Sequence, residues 1–233
     1  CKKITKNVDY VFHLAGIKAS LKVTLKRPST FFVPLLMMNT NLLEACKLNK
    51  VKRLVYTSSI GAYSKKDIFK ESNIDECDSP MDLYPGWAKR MAELQIQSYK
   101  TEFKLNNYFI VRPCNVYGPG DNFDEESAMF IPSIISKAFK NLNKKKVEIW
   151  GDGKAIRDFA FSKDIAMGIV LTMIKGTGKH KYLNLGGGKA YKISDAVKIM
   201  SKVIGFKYFF NKDKKASGYS KRVMSIKNAK KII

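Results

Sequence analysis

Hydrophobic positions along the chain fall into two kinds of run. Residues 8–14 (VDYVFHL), 53–57 (RLVYT) and 108–111 (YFIV) are short, continuous and rich in β-branched and aromatic side chains, the pattern of strands covered on both faces. Between the first two, Leu35, Met38, Leu42, Leu43 and Cys46 recur at helical spacing and predict a helix over 34–49. Between the second and third, Ala88, Met91, Ala92, Tyr99 and Phe103 predict another over 85–105. Strand, helix, strand, helix, strand predicts right-handed βαβ units and a parallel sheet. Gly118-Pro119-Gly120-Asp121 ends that pattern.

The second half is mixed. It predicts a helix over 130–141, a strand over 147–150, a Gly-Asp-Gly turn and a helix from Ser162. A strand over 182–185, a Gly186-Gly187-Gly188 turn and a helix over 194–204 follow. The fold class is α/β: a doubly wound parallel sheet with a smaller mixed α/β part. The longest irregular stretch is 64–80, and long loops in compact domains are often functional.

Composition narrows the function classes. With 233 residues, 45% hydrophobic and 27% charged, the chain can bury a real core, which excludes disorder and a disulfide mini-protein. Its net charge is +23, from 43 basic and 20 acidic residues, yet only six of the basic residues are arginines. Proteins that read phosphates or bases favour arginine forks; lysine spread over the whole chain reads as solvated surface, and nucleic acid is disfavoured as a partner. Cys1, Cys46, Cys77 and Cys114 form no C-x-x-C pair, and two histidines cannot complete a zinc set. No metal is expected, and a reducing cytoplasm is the expected location. The longest apolar stretches, 31–38 and 166–174, fall short of the roughly 20 residues of a membrane span. The sequence opens at Cys1 rather than Met and stops within a helical pattern over 228–233, so it reads as part of a longer protein.

Four clusters could carry chemistry. Thr57-Ser58-Ser59, with Tyr63 beyond, closes the second strand, where open parallel sheets bind ligands; the structural alternative is a Ser-rich turn. Tyr84 and Lys89 could form a base and its tuner, because a phenol takes a proton near neutrality only beside a cation. They are five apart, about 140° on a helix. Pro85-Gly86 allows Tyr84 to sit just outside the helix and swing back. Residues 112–119 (RPCNVYGP) form a loop shaped for a ligand, with Asn115 offering a donor and an acceptor. Trp150-Gly151-Asp152-Gly153 precedes Arg157, which could grip a pyrophosphate bidentately or pair with Asp158 or Asp164. Asp164 reads as a first-turn helix residue. The Gly186-Gly187-Gly188 turn lacks the spacing of a phosphate-binding glycine loop.

Taken in order, Val11-Phe12-His13-Leu14-Ala15, Asn41 to Ala45, Val55 to Ser59, Gly86-Trp87-Ala88-Lys89, 112–119, and 150–153 up to Arg157-Asp158-Phe159 resemble the extended short-chain dehydrogenase/reductases. These are the NAD-dependent epimerase/dehydratases of nucleotide sugars, here in their GDP-fucose synthase-like branch. The branch is marked by 115–123, by Ile131-Pro132 and by the 215–222 stretch. The resemblance implies a Rossmann-like cofactor domain over 1–118 without its N-terminal strands. It implies a substrate domain over 119–233, with 154–188 returning to the first. It implies Ser59, Tyr84 and Lys89 as catalytic residues. Leu14, Ala15, Lys89, Pro113, Asn115 and Val116 would hold NAD or NADP. Ser59, Asn115, Arg157 and Arg222, or Lys221 beside it, would hold a nucleotide-diphosphate sugar. A homodimer through the helices after the two central strands is implied as well.

Three positions depart from the family. Pro85 stands at its catalytic tyrosine, with Tyr84 displaced by one, and Gly61 and Met129 stand where the branch has its epimerising cysteine and histidine. The departures keep a second class open: a family member that binds or scaffolds without catalysis, RNA included.

Overall fold

The computed structural model describes residues 1–73, 78–141, 146–214 and 219–233. Cys77, the centre of the 64–80 loop and the start of the 215–222 stretch lie outside the described residues. The strands are β1 (Tyr10–His13), β2 (Arg53–Thr57), β3 (Ile68–Phe69), β4 (Tyr108–Pro113), β5 (Asn115–Tyr117), β6 (Val147–Trp150), β7 (Ile156–Phe161), β8 (Leu183–Leu185), β9 (Ala190–Lys192), β10 (Tyr208–Asn211) and β11 (Lys221–Met224). The helices are α1 (Leu21–Lys26), α2 (Pro28–Leu48), α3 (Leu83–Phe103), α4 (Phe130–Lys140), α5 (Ser162–Lys175), α6 (Ile193–Ile204) and α7 (Ala229–Ile232).

Four strands form a wholly parallel sheet in the order β1-β2-β4-β8. Successive residues of a strand point to opposite faces, and both faces of β2 and β4 are apolar. Leu54, Tyr56 and Ile110 pack with Leu43 and Cys46 of α2 and Ala92 and Ile96 of α3. Val55, Phe109 and Val111 pack with Ile165, Ile169 and Met173 of α5 on the other side. One core on each face of a parallel sheet is the doubly wound arrangement that the continuous apolar runs predict.

The rest is built on two smaller sheets. β6 and β10 pair in parallel, and Val147 and Ile149 share a core with Ile134 and Ala138 of α4 and Val197 of α6. β3, β11, β7 and β5 follow one another in a third sheet, with β9 antiparallel on β7. This sheet brings β11, near the end of the chain, against β3 from the 64–80 loop, with Val223 beside Ile68.

Two helix starts differ from the sequence expectation. α2 begins at Pro28 and carries Pro34 inside it. The apolar stripe from Leu35 onward pointed to Pro34 as the first-turn proline, a role that Pro28 takes. α3 begins at Leu83, so Tyr84 lies within the helix rather than ahead of it.

Candidate active site

The chemistry-bearing residues gather where the parallel strands end. Lys89 projects from the first half of α3, and its Nζ donates to Thr57 O at 2.7 Å, 5.1 Å from the centre of the Tyr56 ring. Burial pulls its pKa down to about 8, with Glu93 opposing and the charge of Lys18 adding to the fall. One of its three N–H donors is engaged by Thr57, leaving two to meet a ligand. The loop after β1 lies against it: a Cβ on Gly16 would stand 3.8 Å from Nζ. Leu14 and Ala15 form an exposed ledge there.

The three hydroxyl residues after β2 are each tied down differently. Thr57 gives its carbonyl to Lys89, while its own Oγ1 is buried without a partner. Ser58 Oγ donates to Glu93, whose carboxylate is gripped by Nε (2.8 Å) and Nη2 of Arg112. Arg112 and Glu93 are both fully buried, and the guanidinium lies 4.2 Å and 4.3 Å from the ring centres of Tyr63 and Tyr182. Ser59 Oγ accepts from Gly61 N at 3.0 Å and keeps its own proton to donate. Tyr63 is buried, with its OH donating to Asn184 Oδ1 at 2.8 Å, a structural placement.

His13 closes β1 beneath this site. It is buried, 5.1 Å from the Tyr56 ring centre, and neither ring nitrogen makes a hydrogen bond of good geometry. Burial first, and then the Lys89 charge, lower its pKa to about 4. The unfolded chain binds a proton at His13 below its ordinary value of 6.5, whereas the folded chain does so only near 4. Stability is therefore expected to fall by up to about 3 kcal/mol as pH drops from 6.5 to 4. Urea unfolding at pH 7, 5 and 4 checks this: His13→Leu should lose less stability across that window than the wild type.

Tyr84 is where the structure and the sequence expectation part. It lies in the first turn of α3, 37% exposed, with its ring 6.1 Å from Phe32 of α2. Among the described residues it makes no hydrogen bond to Ser59 or Lys89. The residue one turn before Lys89 is Pro85, which has no phenol. Leu83, immediately before Tyr84, has φ +32°, a conformation that costs a β-carbon-bearing residue on the order of 1–3 kcal/mol.

A cationic group stands beside the site. β7 and β11 pair so that Arg157 faces Arg222 across the ladder. Arg157 Nη1 donates to its neighbour's carbonyl, Ile156 O, at 2.9 Å. Burial, and then the charge of Arg222, pull its pKa down to about 10. Arg222 Nη2 donates to Asp82 Oδ1 at 3.0 Å, while its Nε is buried without a partner. Asp158 is buried and accepts from Gly187 N at 3.0 Å, so it serves the fold and makes no ion pair with Arg157. Gly187 is needed there because a Cβ would overlap Phe159 O. Asn115 Nδ2 donates to Asp158 O at 2.8 Å; Pro113 is buried at the end of β4, and Val116 packs on the core under α5. Lys18 couples to Asp82, Asp121 and Arg222.

Two of these, Lys18 and Asp82, escaped the sequence reading. Lys18 follows the Leu14-Ala15-Gly16 segment, and Asp82 stands immediately before α3, so proximity to recognised motifs was the signal. The strand register that sets Arg157 beside Arg222 left none.

Residues 1–186 match the family model described as NAD dependent epimerase/dehydratase family. The chain belongs to that family. A GDP-L-colitose synthase of Yersinia pseudotuberculosis is 31% identical over 88% of this chain and 68% of its own length. A GDP-L-fucose synthase of Azorhizobium caulinodans is 29% identical over 85% of this chain and 65% of its own length. The chain thus spans about two-thirds of these curated relatives. Among solved structures, a UDP-N-acetylglucosamine 4-epimerase from Methanobrevibacter ruminantium M1 superposes with TM-score 0.83 at 27% identity, covering 99% of this chain and 72% of the other. A GDP-L-fucose synthetase from Naegleria fowleri bound to NADP shares the fold, with TM-score 0.80 at 24% identity over 94% of this chain and 69% of the other.

Proposed function

We propose that the protein is an NAD(P)-dependent nucleotide-sugar epimerase, reductase or dehydratase. The observation that carries this reading is Lys89, a buried amine with open donors set between the Leu14-Ala15 ledge and the hydroxyls at the end of β2. Its open N–H groups and the unpartnered Thr57 Oγ1 suit the hydroxyls of a nicotinamide ribose. When bound, the nicotinamide supplies the hydride exchanged with a sugar carbon. Lys89 holds the ribose, Leu14, Ala15, Pro113 and Val116 line the ring, and Asn115 serves ring and sugar. Ser59 Oγ donates a hydrogen bond to the reacting sugar oxygen. Arg157 and Arg222 are neighbouring guanidiniums, and among the described residues only Asp82, on Arg222, forms an ion pair with them; a diphosphate neutralises the excess charge.

Tyr84 takes the proton of the sugar hydroxyl in this proposal. Its phenol makes no hydrogen bond among the described residues, and the role requires the first turn of α3, which begins at the strained Leu83, to reset so that the phenol meets Ser59.

The related GDP-sugar synthases support a guanosine diphosphate sugar, and the NADP-bound neighbour supports NADP. Calorimetry with NAD and NADP tests the reading: micromolar binding of one is expected, and binding of neither overturns it. The scaffold alternative loses its ground. Arg112 is paired with Glu93, Arg90 donates to Ala62 O and Arg53 to Gly176 O, so the fold uses half of the arginines that could have read a nucleic acid.

We further infer a homodimer through α2 and α3. Val33 and Met37 on α2, and Met91 and Phe103 on α3, are exposed apolar residues on two helices packed side by side. Light scattering checks this, with Met37→Glu and Met91→Glu expected to give monomers. No described helix is long and apolar enough to cross a membrane. Cys1, Cys46 and Cys114 are free thiols, which supports a reducing cytoplasm.

A further inference from the structure

Gly61 has no side chain, and the space where one would stand is filled from elsewhere. A Cβ on Gly61 would overlap Asp82 Oδ2 and lie 2.6 Å from Asp82 Cγ. The Asp82 carboxylate therefore occupies the side-chain position of residue 61. Main-chain bonds hold the two segments in that relation: Asp82 N donates to Gly61 O at 3.1 Å and Met81 N to Tyr63 O at 2.6 Å. The first turn of α3 is close too, since a Cβ on Gly86 would lie 2.7 Å from Gly61 O.

The position matters because Gly61 N is the donor that fixes Ser59 Oγ. The carboxylate over Gly61 and the hydroxyl assigned to the sugar therefore adjoin the same residue. Its two oxygens are not equivalent. Oδ1 accepts from Arg222 Nη2, whereas Oδ2 makes no hydrogen bond among the described residues. The side chain is 27% exposed, so the carboxylate reaches solvent. Lys18 couples both to Asp82 and to Lys89, which places the carboxylate in the same ring of charges as the rest of the site.

We propose that Asp82 is a specificity-determining residue: its Oδ2 accepts a hydrogen bond from a hydroxyl of the bound sugar and repels a sugar that carries a carboxylate there. An ionised carboxylate can only accept, and an O–H···O⁻ bond is among the stronger ones. A second carboxylate at the same place meets like charge in a partly desolvated pocket. The pairing with Arg222 fixes the orientation of Asp82 and links sugar recognition to the arginines assigned to the diphosphate. The inference rests on the nucleotide-sugar reading above.

Calorimetry on the full chain tests it with six compounds: GDP, GDP-mannose and GDP-mannuronate, and UDP, UDP-glucose and UDP-glucuronate. With the nucleotide that binds, the wild type should take the neutral sugar about tenfold or more tighter than the uronate. Asp82→Asn keeps the shape and removes the charge. It should weaken the neutral sugar about tenfold relative to the bare nucleotide and narrow the gap to the uronate. Gly61→Ala, which forces the carboxylate aside without altering its charge, should do the same. Thermal melting confirms that each variant is folded. Unchanged sugar preference in both folded variants overturns the role of Asp82. A wild type that binds none of the six overturns the nucleotide-sugar reading, and this inference with it.

Discussion

Replacing Glu93 with Ala is expected to destabilise the protein by about 3–5 kcal/mol, enough to leave much of it unfolded, given that domains are stable by only about 5–15 kcal/mol. Glu93 and Arg112 are fully buried and joined by two hydrogen bonds. Removing the carboxylate strands a guanidinium between the rings of Tyr63 and Tyr182 with no counter-charge. Burial opposes the charge on Arg112, but the Glu93 charge and hydrogen bonds outweigh it and raise the pKa above the ordinary value. Ser58 Oγ also loses its acceptor, so the loop carrying Ser59 loosens. Urea unfolding measures the loss. The double variant Glu93→Leu with Arg112→Met is the informative control, since exchanging a buried ion pair for apolar groups is often neutral or stabilising. Recovery of most of the lost stability would locate the cost in the stranded charge. No recovery would locate it in the Ser58 contact and the packing of the two rings.

The parallel sheet was legible because β2 and β4 are covered on both faces and are apolar over most of their length; residues 53–57 match the observed β2 from end to end. The strands expected over 147–150 and 182–185 are β6 and β8. Other minor strands were not legible: β3 has two residues, and β5 and β9 have three each, too few to display a period of two. β7, with the sequence IRDFAF, is long enough, but its adjacent polar positions, half-buried Arg157 and buried Asp158, read as a motif rather than a strand. That omission had a functional cost, because the ladder between β7 and β11 is what sets Arg157 beside Arg222. Lys89 was legible from its neighbours in sequence, whereas its hydrogen bond to Thr57 O depends on α3 crossing the end of β2, a tertiary fact. The placement of Tyr84 ahead of the helix failed for a definite reason. Proline normally belongs in the first helical turn, so Pro85 seemed to mark the helix start, yet the chain enters α3 at Leu83 with a left-handed residue and carries Tyr84 into the helix. Asp82 is the counterpart case. Its meaning comes from the empty side-chain position at Gly61, and no pattern in one dimension connects two segments that meet only through β2 and α3.

Lys89→Met is expected to weaken NAD(P) binding about 10–100-fold, the worth of charge-assisted hydrogen bonds to the ribose, and to lower turnover with it. The side chain of methionine preserves the apolar packing of the lysine stem but supplies none of the three donors. Thr57 O then loses its partner, and the ribose loses the cation assigned to it. The pH dependence separates this role from mere packing. With a pKa of about 8, the Lys89 ammonium is lost as pH rises from 7 to 9. Cofactor affinity of the wild type should therefore fall across that interval, and that of Lys89→Met should stay flat. Stability should move the other way. The unfolded lysine holds its proton up to 10.5 while the folded one releases it near 8, so the wild type gains up to about 3 kcal/mol of stability relative to Lys89→Met between pH 8 and 10.5. Tyr84→Phe completes the comparison. It should abolish turnover while leaving cofactor binding and its pH profile intact, because the phenol is assigned to the sugar proton and Lys89 to the ribose. Full activity in Tyr84→Phe would transfer the proton-acceptor role to another group, while a flat wild-type binding profile between pH 7 and 9 would remove Lys89 from the cofactor site.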